Sequence, residues 1–277
     1  MKVLALAAAL LFGGILGDHA CAQSMQHSIV LASTTSVENS GLLARILPLF
    51  TKKTGIEVRV IAQGTGQALA TAARGDADLV LVHDPEAEDR FMAEGHGGKR
   101  RQIAWNDFII VGPNTDPAHV TGGHDAVAAL TAIAAARAPF VSRGDNSGTD
   151  ALEKRLWRKT GTDPAANGGG AWYRDIGGGM GAALNAASAM AAYTLSDRGT
   201  WLSFNNKGPL VIVIEGAPAL LNRYDVILLD PAKHPAAKQT AARELAEWLS
   251  SPEGQAAIGA YTIAGEQLFR PSAIEPQ

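Results

Sequence analysis

Three short segments of this chain bring small hydroxyls and glycines together in one pattern. They are Ser33-Thr34-Thr35-Ser36 with Asn39 and Ser40, Gln63-Gly64-Thr65-Gly66, and Ser142-Arg143-Gly144-Asp145-Asn146-Ser147-Gly148-Thr149. Each stands before a stretch with helical character. At a helix start the first backbone N–H groups lack an internal partner, and the aligned peptide dipoles leave a partial positive charge. Glycine lets a guest approach the backbone closely, and hydroxyls add further donors. The chemistry on offer is hydrogen-bond donation to an anion. A Ser or Thr at one helix start is an ordinary cap; three such starts, one carrying Arg143, point to a shared oxyanion. Arg143 adds a forked, permanently charged donor suited to a tetrahedral guest. Asp145 is either the group that holds this arginine or an acceptor for a protonated guest.

The elements that must position these segments alternate. A buried strand is expected at 28–32. Leu42, Leu43, Ile46, Leu47, Leu49 and Phe50 then recur at helical spacing up to Gly55, with Pro48 as a weak point. A strand at 56–61, a helix at 67–74, a strand at 78–82 and a helix at 85–94 follow. This βαβαβα rhythm implies an α/β fold with a parallel sheet covered on both faces. In open sheets of that kind, ligands bind where strands end and helices begin. A strand at 107–111 ends in Gly112-Pro113, turn chemistry that marks a boundary. The second stretch carries a helix at 125–138, a strand at 139–142, a helix at 149–159, a Gly-rich loop at 168–170 and a helix at 182–194. A strand at 224–229 and a helix at 241–249 are expected to rejoin the first part. Two lobes result, 23–112 plus 224–277 and 113–223, joined by crossings near 112–116 and 221–224.

Composition narrows the classes. Of 277 residues, 47% are apolar and 18% charged, which supports a packed core and argues against disorder. A net charge of -3 argues against general nucleic-acid binding, which needs a basic surface. Lys2, the apolar run from Val3 to Leu16, and Ala20-Cys21-Ala22 read as a secretory signal peptide over 1–22, cleaved after Ala22. Cys21 is the only cysteine, so the mature chain has no disulfide, thiol nucleophile or zinc-thiolate site. His27, His83, His96, His119, His124 and His234 show no metal-ligand spacing, and no Walker lysine or Gly-x-Ser-x-Gly elbow occurs. Gly177-Gly178-Gly179-Met180-Gly181 reads as a close helix-packing site. No cofactor and no protein-ligated metal are expected.

On these same segments the sequence resembles the tungstate-binding proteins of bacterial tungstate ABC transporters, within the type II periplasmic binding proteins. Ser33 to Ser36 with Glu38-Asn39-Ser40-Gly41-Leu42-Leu43 is similar to that family's Thr-rich signature, and Gly64-Thr65-Gly66-Gln67-Ala68-Leu69 to its second loop. Gly75-Asp76-Ala77-Asp78, His83-Asp84-Pro85, Asn106-Asp107-Phe108, Arg143 to Thr149 and Tyr193 to Thr200 fit as well. The resemblance implies two lobes closing on tungstate, with Thr34, Thr35, Thr65, Arg143 and Thr149 at the oxyanion and Ser33 and Gly148 assisting. It also implies a periplasmic carrier that serves an inner-membrane permease and catalyses nothing. Ser33 stands where the family has threonine. Asp150 stands where a basic residue is expected, and a carboxylate there is tolerable only if it points away from the anion. Phosphate, sulfate and molybdate remain alternatives at the level of the residues. So does hydrolysis of phosphate esters, which would need a nucleophile beside a base, or a metal.

Overall fold

The computed structural model describes residues 28–165 and 170–273. The leader expected over 1–22 and the glycines 168 and 169 lie outside them. In chain order the first lobe begins with β1 (Ser28–Thr34), α1 (Thr35–Asn39), α2 (Leu42–Thr54), β2 (Glu57–Gln63), α3 (Thr65–Ala73), β3 (Leu79–Val82), α4 (Pro85–Ala93) and the long β4 (Gly97–Pro113). The second lobe adds α5 (Ala126–Ala135), β5 (Phe140–Ser142), α6 (Gly148–Thr160), β6 (Tyr173–Asp175), α7 (Met180–Met190), β7 (Thr194–Asp197), α8 (Arg198–Ser203) and β8 (Leu210–Ile214). The chain then returns through β9 (Leu221–Leu229), α9 (Gln239–Ser250) and α10 (Pro252–Gly259).

The apolar spacing read from the sequence builds α2. Leu42, Leu43, Ile46, Leu47 and Phe50 face inward, and Gly55 closes the helix in the left-handed region. Pro48 sits inside the helix without ending it. The core of the first lobe joins these residues to Leu79, Leu81 and Ile103 and to Leu245, Trp248 and Leu249 of the returning tail. A separate core, built chiefly from the second lobe, joins Leu130, Phe140, Leu156, Trp157 and Tyr193 to Phe108 of the shared strand β4.

The sheet is mixed rather than parallel throughout. β1 pairs in parallel with β2 and β3, but β9 runs antiparallel to β3, and β4 antiparallel to β9. The reason is the path between lobes. β4, 17 residues long, pairs with β9 at its start and with β7 and β8 at its end, so one strand serves both lobes. β9 begins where the chain comes back.

Glu153, on the inner face of α6, is buried. Its Oε1 accepts from Tyr173 Oη at 3.0 Å and Trp157 Nε1 at 3.2 Å. Burial pushes its carboxyl up to about 8, against those bonds. The folded chain therefore keeps a proton that the unfolded chain loses above the ordinary value of 4.5. Stability from this group is complete below that value and declines as pH rises towards 8. Melting curves of Glu153→Gln should lose part of the fall in melting temperature that the parent shows between pH 5 and 8. Glu88, also raised by burial, contributes equally to both proteins. Parallel curves would rule Glu153 out as the cause.

Candidate functional site

Between the lobes lies a cleft of about 740 Å³. Thr34, Thr35, Gln63, Gly64 and Thr65 line it from the first lobe, and Arg143, Gly148 and Thr149 from the second. The three segments singled out by composition thus converge from both sides.

Each is placed by a helix start. Thr34 caps α1, accepting from Val37 N at 3.2 Å. Ser147 caps α6, accepting from Asp150 N at 3.3 Å. Gly64 caps α3 and has no side chain to take the first-turn amides of that helix. The same holds for Gly179 at the start of α7, and Gly179, Met180 and Gly181 line the cleft. Uncapped amides at the starts of two helices, one of them the Gly64 junction singled out in the sequence, are the arrangement that suits an anion. The second of these starts was read as a packing site. The sequence signal was present, a glycine run ahead of an Ala-rich helix, and Gly178 does pack closely on Ala182 and Ile176.

Arg143 is held in place. Its Nε and Nη2 donate to Asp145 Oδ2 at 3.1 and 2.5 Å, and Nη1 donates to Thr149 Oγ1 at 3.3 Å. Asp145 Oδ1 accepts from Ser147 N at 3.1 Å. Burial raises the Asp145 carboxyl, but the bonds from Ser147 and Arg143 outweigh it and hold the group below its usual range. Gly144 turns the loop in the left-handed region, and a Cβ there would collide with the Asp175 carboxylate. A second cleft carboxylate, Asp197, caps α8 and accepts from Thr200 N at 2.7 Å and Thr200 Oγ1 at 2.8 Å.

One residue departs from expectation and one meets a condition set for it. Ser33 is fully buried and donates to Leu81 O at 2.8 Å, and it is not among the cleft residues. Asp150 does point away: it is 1% exposed and accepts from Asn146 N at 3.1 Å and Lys154 Nζ at 2.7 Å. Ser36, Asp197 and Thr200 line the cleft without having been singled out as ligands. Ser36 was concealed among hydroxyls that looked equivalent.

The lobes approach closely beside the cleft. A Cβ built on Gly148 would stand 3.3 Å from His83 Cε1 and 3.6 Å from Thr65 Oγ1, both in the other lobe. Nearby, Arg155 of α6 reaches across to Asp84 Oδ1 at 3.3 Å and Glu86 Oε1 at 3.7 Å. Such a pair favours the closed form weakly. Arg155→Met should lower anion affinity by about two- to fivefold in dilute buffer, the effect of a partly exposed ion pair, and less in concentrated salt. An affinity ratio independent of salt in titration calorimetry would contradict this role.

Among the described residues, no group of three or more His, Cys, Asp or Glu side chains could hold a metal ion, and no helix is long and apolar enough to cross a membrane. The family model for the PBP superfamily domain matches residues 21–253. The tungstate-binding protein TupA of Peptoclostridium acidaminophilum is 44% identical over 252 residues, which cover 90% of this chain and 87% of that relative. The solved structure of TupA from Desulfovibrio alaskensis G20 superposes with a TM-score of 0.82 at 43% identity, covering 89% of this chain and 99% of that one. A structure described as the tungstate ABC transporter from Geobacter sulfurreducens gives 0.74 at 42% identity, with coverage of 85% and 99%.

Proposed function

The chain belongs to the PBP superfamily, and from that premise we propose that it captures tungstate between its lobes and delivers it to an ABC permease. The lobes are 23–112 with 224–277 and 113–223, and the mature protein begins at Gln23 and works in the periplasm. Thr34, Thr35, Thr65, Arg143 and Thr149 hold the oxyanion, with Gly148 at the seam. Molybdate has nearly the same size and charge and is the nearest rival guest.

One observation carries the reading: the cleft offers donors from both lobes, while the oxygens of its carboxylates are engaged. Tungstate at neutral pH is an unprotonated dianion and needs donors alone. Hydrogenphosphate carries a proton and needs an acceptor. Asp145 is taken by Arg143 and Ser147, and Asp197 by Thr200. Charge-assisted bonds contribute about 1.5–3 kcal/mol each, so about six would reach nanomolar affinity after ordering and desolvation costs. Closure removes water and strengthens each bond. Titration calorimetry with tungstate, molybdate, sulfate and phosphate tests this. Tungstate should bind tightly and phosphate weakest; tighter binding of phosphate would refute it.

A second reading has an observation of its own. Ser36 Oγ lies 2.8 Å from His83 Nε2, and His83 Nδ1 lies 3.0 Å from Asn222 Oδ1, distances found in hydrolase triads. The orienting group is a neutral amide, so no carboxylate in direct contact stabilises an imidazolium in this buried place. The purified protein is expected not to turn over p-nitrophenyl esters of acetate or phosphate. Turnover lost in Ser36→Ala would reinstate the enzyme.

A further inference from the structure

Behind the hydroxyls of the first anion-binding turn lies a histidine that the cleft does not expose. His83 follows β3, is buried, and does not line the cleft. Its Nε2 stands 2.8 Å from Ser36 Oγ and 3.2 Å from Thr34 Oγ1, both residues of the cleft wall. On the other side, Nδ1 faces Asn222 Oδ1 at 3.0 Å. Asn222 Nδ2 donates to Asn106 Oδ1 at 2.8 Å and to Tyr224 Oη at 2.7 Å. The Tyr224 ring stacks on the imidazole at 5.0 Å. Asn106 and Asn222 are register partners on β4 and β9, the two strands on which the chain passes between lobes.

These contacts fix where the protons are. With its amide nitrogen facing two oxygens, Asn222 turns its oxygen to His83 and requires N–H on Nδ1. Burial holds the imidazole below the usual histidine range, against the Asn222 bond and the charges of Asp197 and Asp84, so the ring is neutral at pH 7. Nε2 then has only a lone pair and must accept, and the shorter contact is to Ser36. Thr34 Oγ1 already accepts from Val37 N. Its proton is left for Ser36 Oγ, 3.0 Å away, or for a guest.

We propose that His83 is a positioning residue for oxyanion capture: as the Nδ1–H tautomer it takes the Ser36 hydroxyl on Nε2, leaves the Thr34 hydroxyl as the donor facing the guest, and ties both to the asparagine pair at the hinge. This deepens the tungstate reading and rests on it. Gly148 of the second lobe seats against the same ring. One side chain thus touches the donors of the first lobe, the approaching helix of the second, and the strands between them. In the opposite tautomer, a bare Nδ1 would face the Asn222 oxygen, acceptor against acceptor.

The mature protein tests this with ring nitrogen NMR and tungstate calorimetry together. Spectra of ¹⁵N-histidine-labelled protein should show His83 protonated on Nδ1 and bare on Nε2, with and without tungstate. His83→Phe keeps an aromatic ring but removes both nitrogens; it should bind tungstate at least about tenfold more weakly, the effect of one hydrogen bond. His83→Gln, whose amide oxygen can accept from Ser36, should recover most of that loss. An Nε2–H ring or an imidazolium, a Phe variant that binds like the parent, or a Gln variant no better than Phe would each overturn the proposal. Should the Phe variant fail to fold, the tautomer in the parent decides. A parent that ignores tungstate sinks the tungstate reading itself; a parent that binds with the wrong tautomer sinks only this one.

Discussion

Arg143→Ala should weaken tungstate binding by about a hundredfold. Losing a charge-assisted bond to a dianion costs about 1.5–3 kcal/mol, which spans roughly ten- to 150-fold. A second effect pushes towards the upper end. Asp145 now answers Arg143 through both Nε and Nη2. Without the guanidinium its carboxylate stays in the cleft wall and repels the guest. Arg143→Ala combined with Asp145→Asn should therefore bind more tightly than Arg143→Ala alone. Arg143→Lys should fall between parent and Ala, because an ammonium keeps the charge but not the fork that spans Asp145 and Thr149. The guest-free melting temperature should move by only a few degrees, the scale of about 1 kcal/mol in a chain of this size. Equal affinity in Arg143→Ala and parent would remove this arginine from the site.

Gly148→Leu should abolish closure. The space beside Gly148 is filled by His83 and Thr65 of the other lobe, so an added Cβ already meets them at 3.3 and 3.6 Å. Alanine requires shifts of a few tenths of an ångström and should cost only severalfold in affinity. A leucine side chain would act as a wedge where the lobes meet. Donors of the second lobe would then stand back from a guest held by the first, and about half of the bonds would be lost. A fall in affinity of at least about a hundredfold follows from two such bonds. Small-angle scattering should show the parent compacting with tungstate and the leucine variant unchanged. A leucine variant that binds and compacts normally would show that the lobes do not close at this seam.

The first lobe was legible because its signals are strong and local. The strands β1 and β3 are short apolar runs, β2 alternates charged and apolar residues up to Val60, and helices with clear spacing separate them. The beginning of β4 is not legible, because Lys99, Arg100, Arg101 and Gln102 carry no apolar alternation and form a strand only through pairing with β9. β6 and β7 are too short or too polar to declare themselves, whereas β8, the apolar run Leu210–Ile214, carries a strand signal but not its place beside the end of β4. That mixed pairing, rather than the expected parallel sheet, makes β4 the spine of both lobes. At the site, the donor chemistry of Thr34, Thr65, Arg143 and Thr149 could be read from residue type. What could not be read was direction. Ser33 and Ser36 are the same residue three positions apart, yet one bonds the sheet at Leu81 and the other faces the cleft. Strand alternation ends at Thr34 and the helix begins at Thr35, so no single period assigns both.

The most direct test is a crystal structure of the tungstate complex with tungsten located by its anomalous scattering. A single peak is expected between Thr34 and Thr65 on one side and Arg143 and Thr149 on the other, with donors about 2.7–3.2 Å from its oxygens. A peak held by one lobe alone, or outside this cleft, would contradict capture between the lobes.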